Sequence, residues 1–194
     1  MTLLKTIARY KLLACILILF VSQATIAQQF KLNNTSTLSV LGTSSLHDWH
    51  ITSKTYSGSI AFNDLNSGDL KNLNISIPAE SLKSGKNAMD KNTYKALKTN
   101  KYSTITFQLT KVNGITKKSD GKYTAKTTGN LTIAGVKKSV PLEFEIDATT
   151  SNVVKLVGKK TFKMTDFNID PPTALLGTIT TGDDVTIEFN SVFK

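Results

Sequence analysis

The sequence predicts an all-β fold: an eight-stranded antiparallel barrel with one short α-helix. Residues 129–146 carry most of the weight, because they write a β-hairpin with a two-residue hydrophobic period on both arms. Leu131 and Ile133 share one face of the first arm, and Val140, Leu142, Phe144 and Ile146 share one face of the second. Between the arms, Ala134-Gly135-Val136-Lys137-Lys138 supplies a turn glycine and a wet tip. Other segments rich in Thr, Val and Ile follow one another with short polar turns, and the period changes from two to helical only once. Strands in series without alternating helices argue for an antiparallel meander, and eight of them can close around an interior that holds one small ligand.

The first 27 residues stand apart from that pattern. Lys5, Arg9 and Lys11 form a basic region, and Leu12 to Val21 an unbroken apolar run of ten residues. Such a run fits the ~7–15 residues of a signal-peptide core and falls short of the ~18–20 that span a bilayer. Thr25-Ile26-Ala27 offers a small-residue cleavage site, so the mature chain is expected to begin near Gln28 and to be periplasmic or secreted. Leu12-Leu13-Ala14-Cys15 resembles a lipoprotein box, but Cys15 opens the apolar run where a lipidation site would close it. Cleavage at Ala27 removes the sole cysteine, and with it any disulfide or thiolate chemistry.

The remaining 28–194 segment has the length of one domain. Strand patterns cover Thr37 to Leu41, an extended Trp49 to Phe62 segment bent near Tyr56-Ser57-Gly58, and Leu73, Ile75 and Ile77 up to Pro78. Ser84 to Lys101 is the helical candidate, with Met89, Thr93, Ala96 and Leu97 on one face and lysines on the other. Alternation resumes at Ile105, Phe107 and Leu109. Asn113-Gly114 and 117–121 read as a loop before Tyr123, Ala125 and Thr127. After the hairpin, Val153 to Met164 is extended, Pro171-Pro172 stiffens a connection, and Val185, Ile187 and Phe189 close the chain.

Three of the 24 basic residues lie in the leader, among them the only arginine, which leaves 21 lysines against 14 acids and a net charge of +7. The lysines are scattered singly or in pairs. Nucleic-acid readers rely on arginine's bidentate fork and on stacked aromatics, and neither is present, so no nucleic-acid partner is expected. A solvated cationic surface is the default, with transient attraction to an anionic membrane face compatible with it.

Leu46-His47-Asp48-Trp49-His50 holds both histidines and the only tryptophan. On a strand, His47 and Trp49 face one side and Asp48 and His50 the other, which separates the histidines. A metal needs further ligands that the chain does not offer as histidine or cysteine, so no metal site is expected. A histidine–aspartate dyad needs a nucleophile within reach, and no Gly-x-Ser-x-Gly elbow exists. The expected reading is a barrel strand with Trp49 packed inside and no catalytic residue. The stiff proline pair reads as part of a rigid rim loop, with presentation of the apolar side chains of Thr173-Ala174-Leu175-Leu176 at a cavity mouth as the sharper alternative.

Several segments in order resemble one known family. Gly129-x-Leu-Thr-Ile-x-Gly-Val-x-x-x-Val-x-Leu142 resembles the hairpin of the YceI-like family of lipocalin-shaped, polyisoprenoid-binding bacterial proteins. Gly42-Thr-Ser-Ser-Leu-His-Asp-Trp49 is similar to the family's His-Asp-Trp variants. Ile77 to Gly85, Met89-Asp90 through Leu97, Ile105-Thr-Phe107 and Gly182-Asp-Asp-Val-Thr-Ile187 complete the series. The chain departs from the family in lacking an arginine before Met89-Asp90, in having Ser103 where proline is common, and in Lys163-Met-Thr-Asp-Phe-Asn168 where Arg-Ser-Asp-Phe-Gly is usual. The resemblance implies a lipocalin-like barrel around an apolar tunnel that holds an isoprenoid or fatty-acyl lipid, with no cofactor and no chemistry done on the lipid. The ligand-binding set it implies is Trp49, Phe62, Ile75, Met89, Leu97, Phe107, Leu131, Leu142 and Phe144.

Three other readings compete: a small outer-membrane β-barrel, a hydrolase-like enzyme using His47, Asp48 and His50, and a barrel packed solid by its own side chains. The sequence leaves the oligomeric state open, a homodimer included.

Overall fold

The computed structural model describes residues 27–194, so the leader with Lys5, Arg9, Lys11 and Cys15 lies outside the described residues. The strands are β1 (Gln28–Lys31), β2 (Thr37–Ser44), β3 (Trp49–Ser53), β4 (Ser57–Asp64), β5 (Asp69–Pro78), β6 (Thr104–Ser119), β7 (Lys122–Ile133), β8 (Val136–Thr150), β9 (Val153–Lys163), β10 (Thr173–Ala174) and β11 (Ile179–Phe193). The helix α1 (Asn87–Leu97) lies between β5 and β6. All pairings are antiparallel, in the order β1-β4-β5-β6-β7-β8-β9-β11-β2-β3, with β10 beside β11.

The all-β barrel with one helix is what the sequence predicts, but the strands number eleven rather than eight. The 49–62 segment is not one bent strand: Lys54–Tyr56 carries the chain from β3 at one edge of the sheet order to β4 near the other. β1 and the two-residue β10 add the rest. The loop expected around Asn113-Gly114 is absorbed into β6 as register shifts after Leu109 and Val112, and the turn falls at Asp120-Gly121. The helix is shorter than 84–101, because Lys98 takes the left-handed conformation (φ 55°) and ends it.

The curled sheet closes at two short seams. At one end Lys31 and Lys194 exchange backbone hydrogen bonds at 2.8 and 2.9 Å, tying β1 to the end of β11. At the other, Thr52 and Lys83 exchange a pair at 2.9 and 2.8 Å, tying β3 to the segment that leads into α1. The β7–β8 hairpin turns on two residues, Ala134 (φ 47°) and Gly135 (φ 80°), the paired positive φ of a tight hairpin. Gly135 is needed twice over, since a Cβ there would stand 2.4 Å from the Tyr102 ring.

Inward side chains form two clusters, one at each end of the barrel. The first packs Phe30, Phe62, Tyr123, Phe144 and Phe193 among aliphatics. Its rings meet edge to face, as in Phe30 on Phe62 at 6.4 Å. The β4–β5 turn caps this end, with the Tyr123 hydroxyl donating to the Asn66 carbonyl and Gly68 lying flat against the Tyr123 ring. The second cluster, around Leu38, Ile51, Ile77, Ile105, Ile133 and Val185, is mostly aliphatic. Outward positions on β6 to β9 carry Lys111, Lys126, Glu143, Glu145, Lys155 and Lys159, all exposed, where a membrane-spanning barrel would carry an apolar band.

Candidate functional site

The aliphatic end encloses a cavity of about 370 Å³, within the ~300–1,000 Å³ usual for small-molecule sites. Strand pairing explains its depth. Ile77 on β5 stands opposite Ile105 on β6, and Thr106 pairs with Thr132, which aligns Ile105 with Ile133 on β7; this row lines the cavity. One step further in, Ile75, Phe107 and Leu131 form the next row. Ile75 and Phe107 touch both clusters, and the Phe107 ring lies over Gly129, where a Cβ would stand 2.3 Å away. That row does not itself line the cavity; it packs one level beyond the lining residues, on the side of the aromatic cluster.

Leu38 and Val40 on β2, Trp49 and Ile51 on β3, and Val185 and Ile187 on β11 complete the wall. Trp49 faces Gly42 across the β2–β3 ladder, and a Cβ on Gly42 would stand 2.1 Å from the indole. The glycine therefore makes room for the ring, whose Nε1 donates to the Thr43 carbonyl at 2.9 Å. Phe162, Met164 and Ile169 close the wall on the β9 side, with Phe162 edge-on to Phe167 at 5.1 Å.

Helix α1 covers the open end and turns Ala88, Met89, Asn92, Thr93, Ala96 and Leu97 toward the cavity. Polar clips hold it. Asp90 accepts from the Ser84 backbone N at 2.8 Å and Ser84 Oγ at 2.6 Å. These bonds, the hydroxyl's first, hold its carboxyl below the ordinary aspartate value. The Tyr94 hydroxyl stands 3.0 Å from the Glu80 and Leu82 carbonyl oxygens and shares its proton between them. Thr99 Oγ1 donates to Glu80 at 2.9 Å. The polar lining groups, Ser44, His47, Lys86, Asn92, Thr93, Thr173 and Thr181, come from the end of β2 and the loop after it, the helix and the residue before it, β10 and the start of β11, whereas the rest of the wall is hydrocarbon.

Of the nine residues singled out from sequence, Trp49, Met89 and Leu97 line the cavity. Ile75, Phe107 and Leu131 do not line it; they pack one level further in, Ile75 and Phe107 against both clusters. Phe62 and Phe144 are buried in the aromatic cluster, and Leu142 packs at that cluster's edge. Leu38, Val40, Ile51, Ile77, Ile105 and Ile133 line the cavity without having been singled out; they carry the same alternation as the others. His47 lines the mouth while His50 is exposed on the strand between the inward Trp49 and Ile51, so the two histidines diverge. His47 Nδ1 meets the Asp48 carbonyl oxygen at 2.7 Å, not its carboxylate. Ser44 Oγ donates to the His47 carbonyl at 2.7 Å and accepts from the Leu46 and His47 amides, which makes it a loop clamp. Among the described residues, no three His, Cys, Asp or Glu side chains gather in a metal-binding group.

The sequence profile of the YceI-like domain matches residues 28–193. The chain belongs to the YceI-like family. Among solved structures, BcnA of Burkholderia cenocepacia is similar in fold, with a TM-score of 0.68 and 20% identity over 83% of this chain and 98% of that one. A polyisoprenoid binding domain from Saccharophagus degradans, implicated in plant cell wall breakdown, gives a TM-score of 0.68 and 13% identity over 85% and 97%. The Campylobacter jejuni YCEI protein gives 0.57 and 27% over 73% and 82%. No curated protein matches the chain significantly. Within the YceI-like frame, the motifs Gly42 to Trp49, Met89 to Leu97 and Ile105 to Phe107 fall respectively at the cavity wall, at its lid, and on a strand whose Ile105 lines the wall.

Proposed function

We propose that this YceI-like protein is an exported, non-catalytic binding protein that holds an isoprenoid or fatty-acyl chain in the cavity beneath α1, for transport, storage or sequestration. The observation that carries the reading is the hydrocarbon wall of a 370 Å³ cavity whose polar groups gather at one end. A lipid fits that arrangement with its chain inward and its head beside Lys86, His47 and Asn92. Burial at ~0.8 kcal/mol per CH₂ gives ten methylenes ~8 kcal/mol before ordering costs, and micromolar binding needs ~8 kcal/mol net. In this reading the packed row of Ile75, Phe107 and Leu131 beyond the lining residues closes the inner end, so a long isoprenoid would leave its remainder at the mouth. The polyisoprenoid-binding relative from Saccharophagus degradans supports the ligand class.

Native mass spectrometry of the signal-less protein, taken from a periplasmic extract without detergent, tests this directly. A one-to-one adduct is expected, released by denaturation and identified as a prenol, quinone or acyl lipid. Ala96→Trp, which places an indole in the cavity from the lid side, should abolish it. A protein that stays free of adduct after incubation with farnesol and palmitate would sink the proposal.

A further inference from the structure

Three exposed leucines stand around the mouth of the cavity. Leu46, on the β2–β3 loop, borders the cavity and is 65% exposed. Leu175 and Leu176 follow Ala174, which also lines it, and are 72% and 109% exposed. Both adopt positive φ, 48° and 55°, a left-handed conformation that disfavours a side chain such as leucine. Two consecutive strained leucines pointing into solvent at a cavity mouth do nothing for the fold, since neither is buried. Such strain marks segments held for a functional reason.

The other side of the mouth is basic. Lys83, Lys86, Lys91, Lys95, Lys98 and Lys101 are all exposed on and around α1, and Lys86 lines the cavity. The same stretch carries two acids, Asp90 bonded to Ser84 and Glu80 bonded to Thr99, which leaves six lysines against two carboxylates, a net charge of +4. The ion pairs found among the described residues, Lys117–Asp120, Lys122–Asp147 and Lys126–Glu143, lie on β6 to β8; of the six lysines, Lys83 stands over the Tyr94 ring and Lys101 over the Tyr102 ring, while Lys86, Lys91, Lys95 and Lys98 form none of these contacts. Apolar tips beside a lysine-bearing helix are the two signals that together hold a protein at an anionic bilayer.

We propose that the cavity mouth is a membrane-docking surface: Leu175, Leu176 and Leu46 insert into an anionic bilayer while the lysines of α1 face its headgroups, so that a lipid passes between bilayer and cavity without crossing water. This rests on the lipid-binding reading of the cavity. Exposed Asp170 precedes the leucine turn by five residues in sequence, so the lysines around α1 supply the electrostatic attraction and the leucines anchor by burial.

The test is flotation of the purified mature protein with phosphatidylcholine vesicles, with and without phosphatidylglycerol, alongside displacement of a fluorescent fatty acid from the cavity. Leu175→Asn/Leu176→Asn suits the backbone, because asparagine tolerates the left-handed region. It should weaken vesicle binding about tenfold or more while leaving fatty-acid affinity unchanged. Lys91→Glu/Lys95→Glu should weaken binding to phosphatidylglycerol vesicles about tenfold and reduce its salt dependence. Flotation of the asparagine variant equal to wild type, or wild-type protein that ignores phosphatidylglycerol vesicles, would overturn the proposal. Leucine-dependent flotation by a protein that takes up no fatty acid would uphold the docking surface and remove the cavity reading instead.

Discussion

The two ends of this barrel are built on the same alternating pattern and differ in what fills them. In the closed end, five of the twelve buried side chains are aromatic, namely Phe30, Phe62, Tyr123, Phe144 and Phe193. In the cavity end only Phe167 is, and the other eleven are aliphatic or methionine. A barrel of this size has room for its own side chains or for one small ligand. The rings of the closed end are mostly fully buried, whereas those of the cavity end, Trp49 and Phe162 among them, are mostly only partly buried and with Ile and Val line a space. The lesson is that inward alternation specifies an apolar interior, while side-chain volume at each level decides whether it is core or pocket.

The largest expected effect breaks the comparison if it fails. Phe144→Ala in the packed end should cost about 3–5 kcal/mol, the usual range for a ring deleted from a dense core. Phe162→Ala at the cavity wall should cost about half as much, because Phe162 is half-buried and already borders empty space. Urea unfolding of both variants, read at matched slope, gives the contrast. Equal losses would mean that both ends are packed alike.

Phe107→Ala sharpens the boundary between them. Removing this ring, which packs between the two clusters one level beyond the lining residues, should lower stability by about 2 kcal/mol and open the pocket toward Leu109. The ligand preference should then move to a longer chain. Competition among fatty acids of graded length measures it, and an unchanged preference would place the inner end elsewhere.

A gentler change tests the wall. Gly42→Ala puts a methyl 2.1 Å from the Trp49 ring, so the indole must leave its place at a cost of about 1–3 kcal/mol. Trp49 is the only tryptophan, and its fluorescence should shift to the red as the ring meets water. An emission maximum that does not move would show that Trp49 packs without help from Gly42.

These residues also show how far the sequence could be read. Alternation told which side chains point inward, and it did so for Ile105, Phe107, Leu131 and Ile133 alike. Height along the barrel was not legible, because it depends on register between strands far apart in sequence: Ile77 with Ile105 and Ile105 with Ile133 share a level only after β5, β6 and β7 have paired. That is why Phe62 and Phe144, inward by the same rule as Trp49, sit in solid core. The β3–β4 crossing at Lys54–Tyr56 was hidden for a similar reason, since two strands at opposite ends of the sheet order read locally as one bent strand. The lid was legible as a helix by its change of period, but the clip at its start was not. Ser84 and Asp90 are six residues apart, outside the spacing of a capping box.

That clip produces the smallest effect and the one most specific to the cavity end. Ser84 holds the Asp90 carboxyl below its ordinary value, so the folded-state pKa lies under the unfolded value of about 3.9. A group shifted in this direction contributes its stabilisation in full above the unfolded value and loses it as pH falls through the folded one. The lid should therefore be unaffected between pH 5 and 8 and loosen only below about pH 4. Asp90→Asn replaces charge-assisted bonds with neutral ones and should cost about 1 kcal/mol at neutral pH, while removing the acid-dependent step. Hydrogen exchange across Asn87–Leu97, followed from pH 6 downward with intrinsic rates corrected, reads both effects in the helix while the β7–β8 amides serve as the control. Loosening of helix and strands together would assign the acid step to the whole barrel; loosening of the helix alone, absent in Asp90→Asn, assigns it to the clip that keeps the cavity covered.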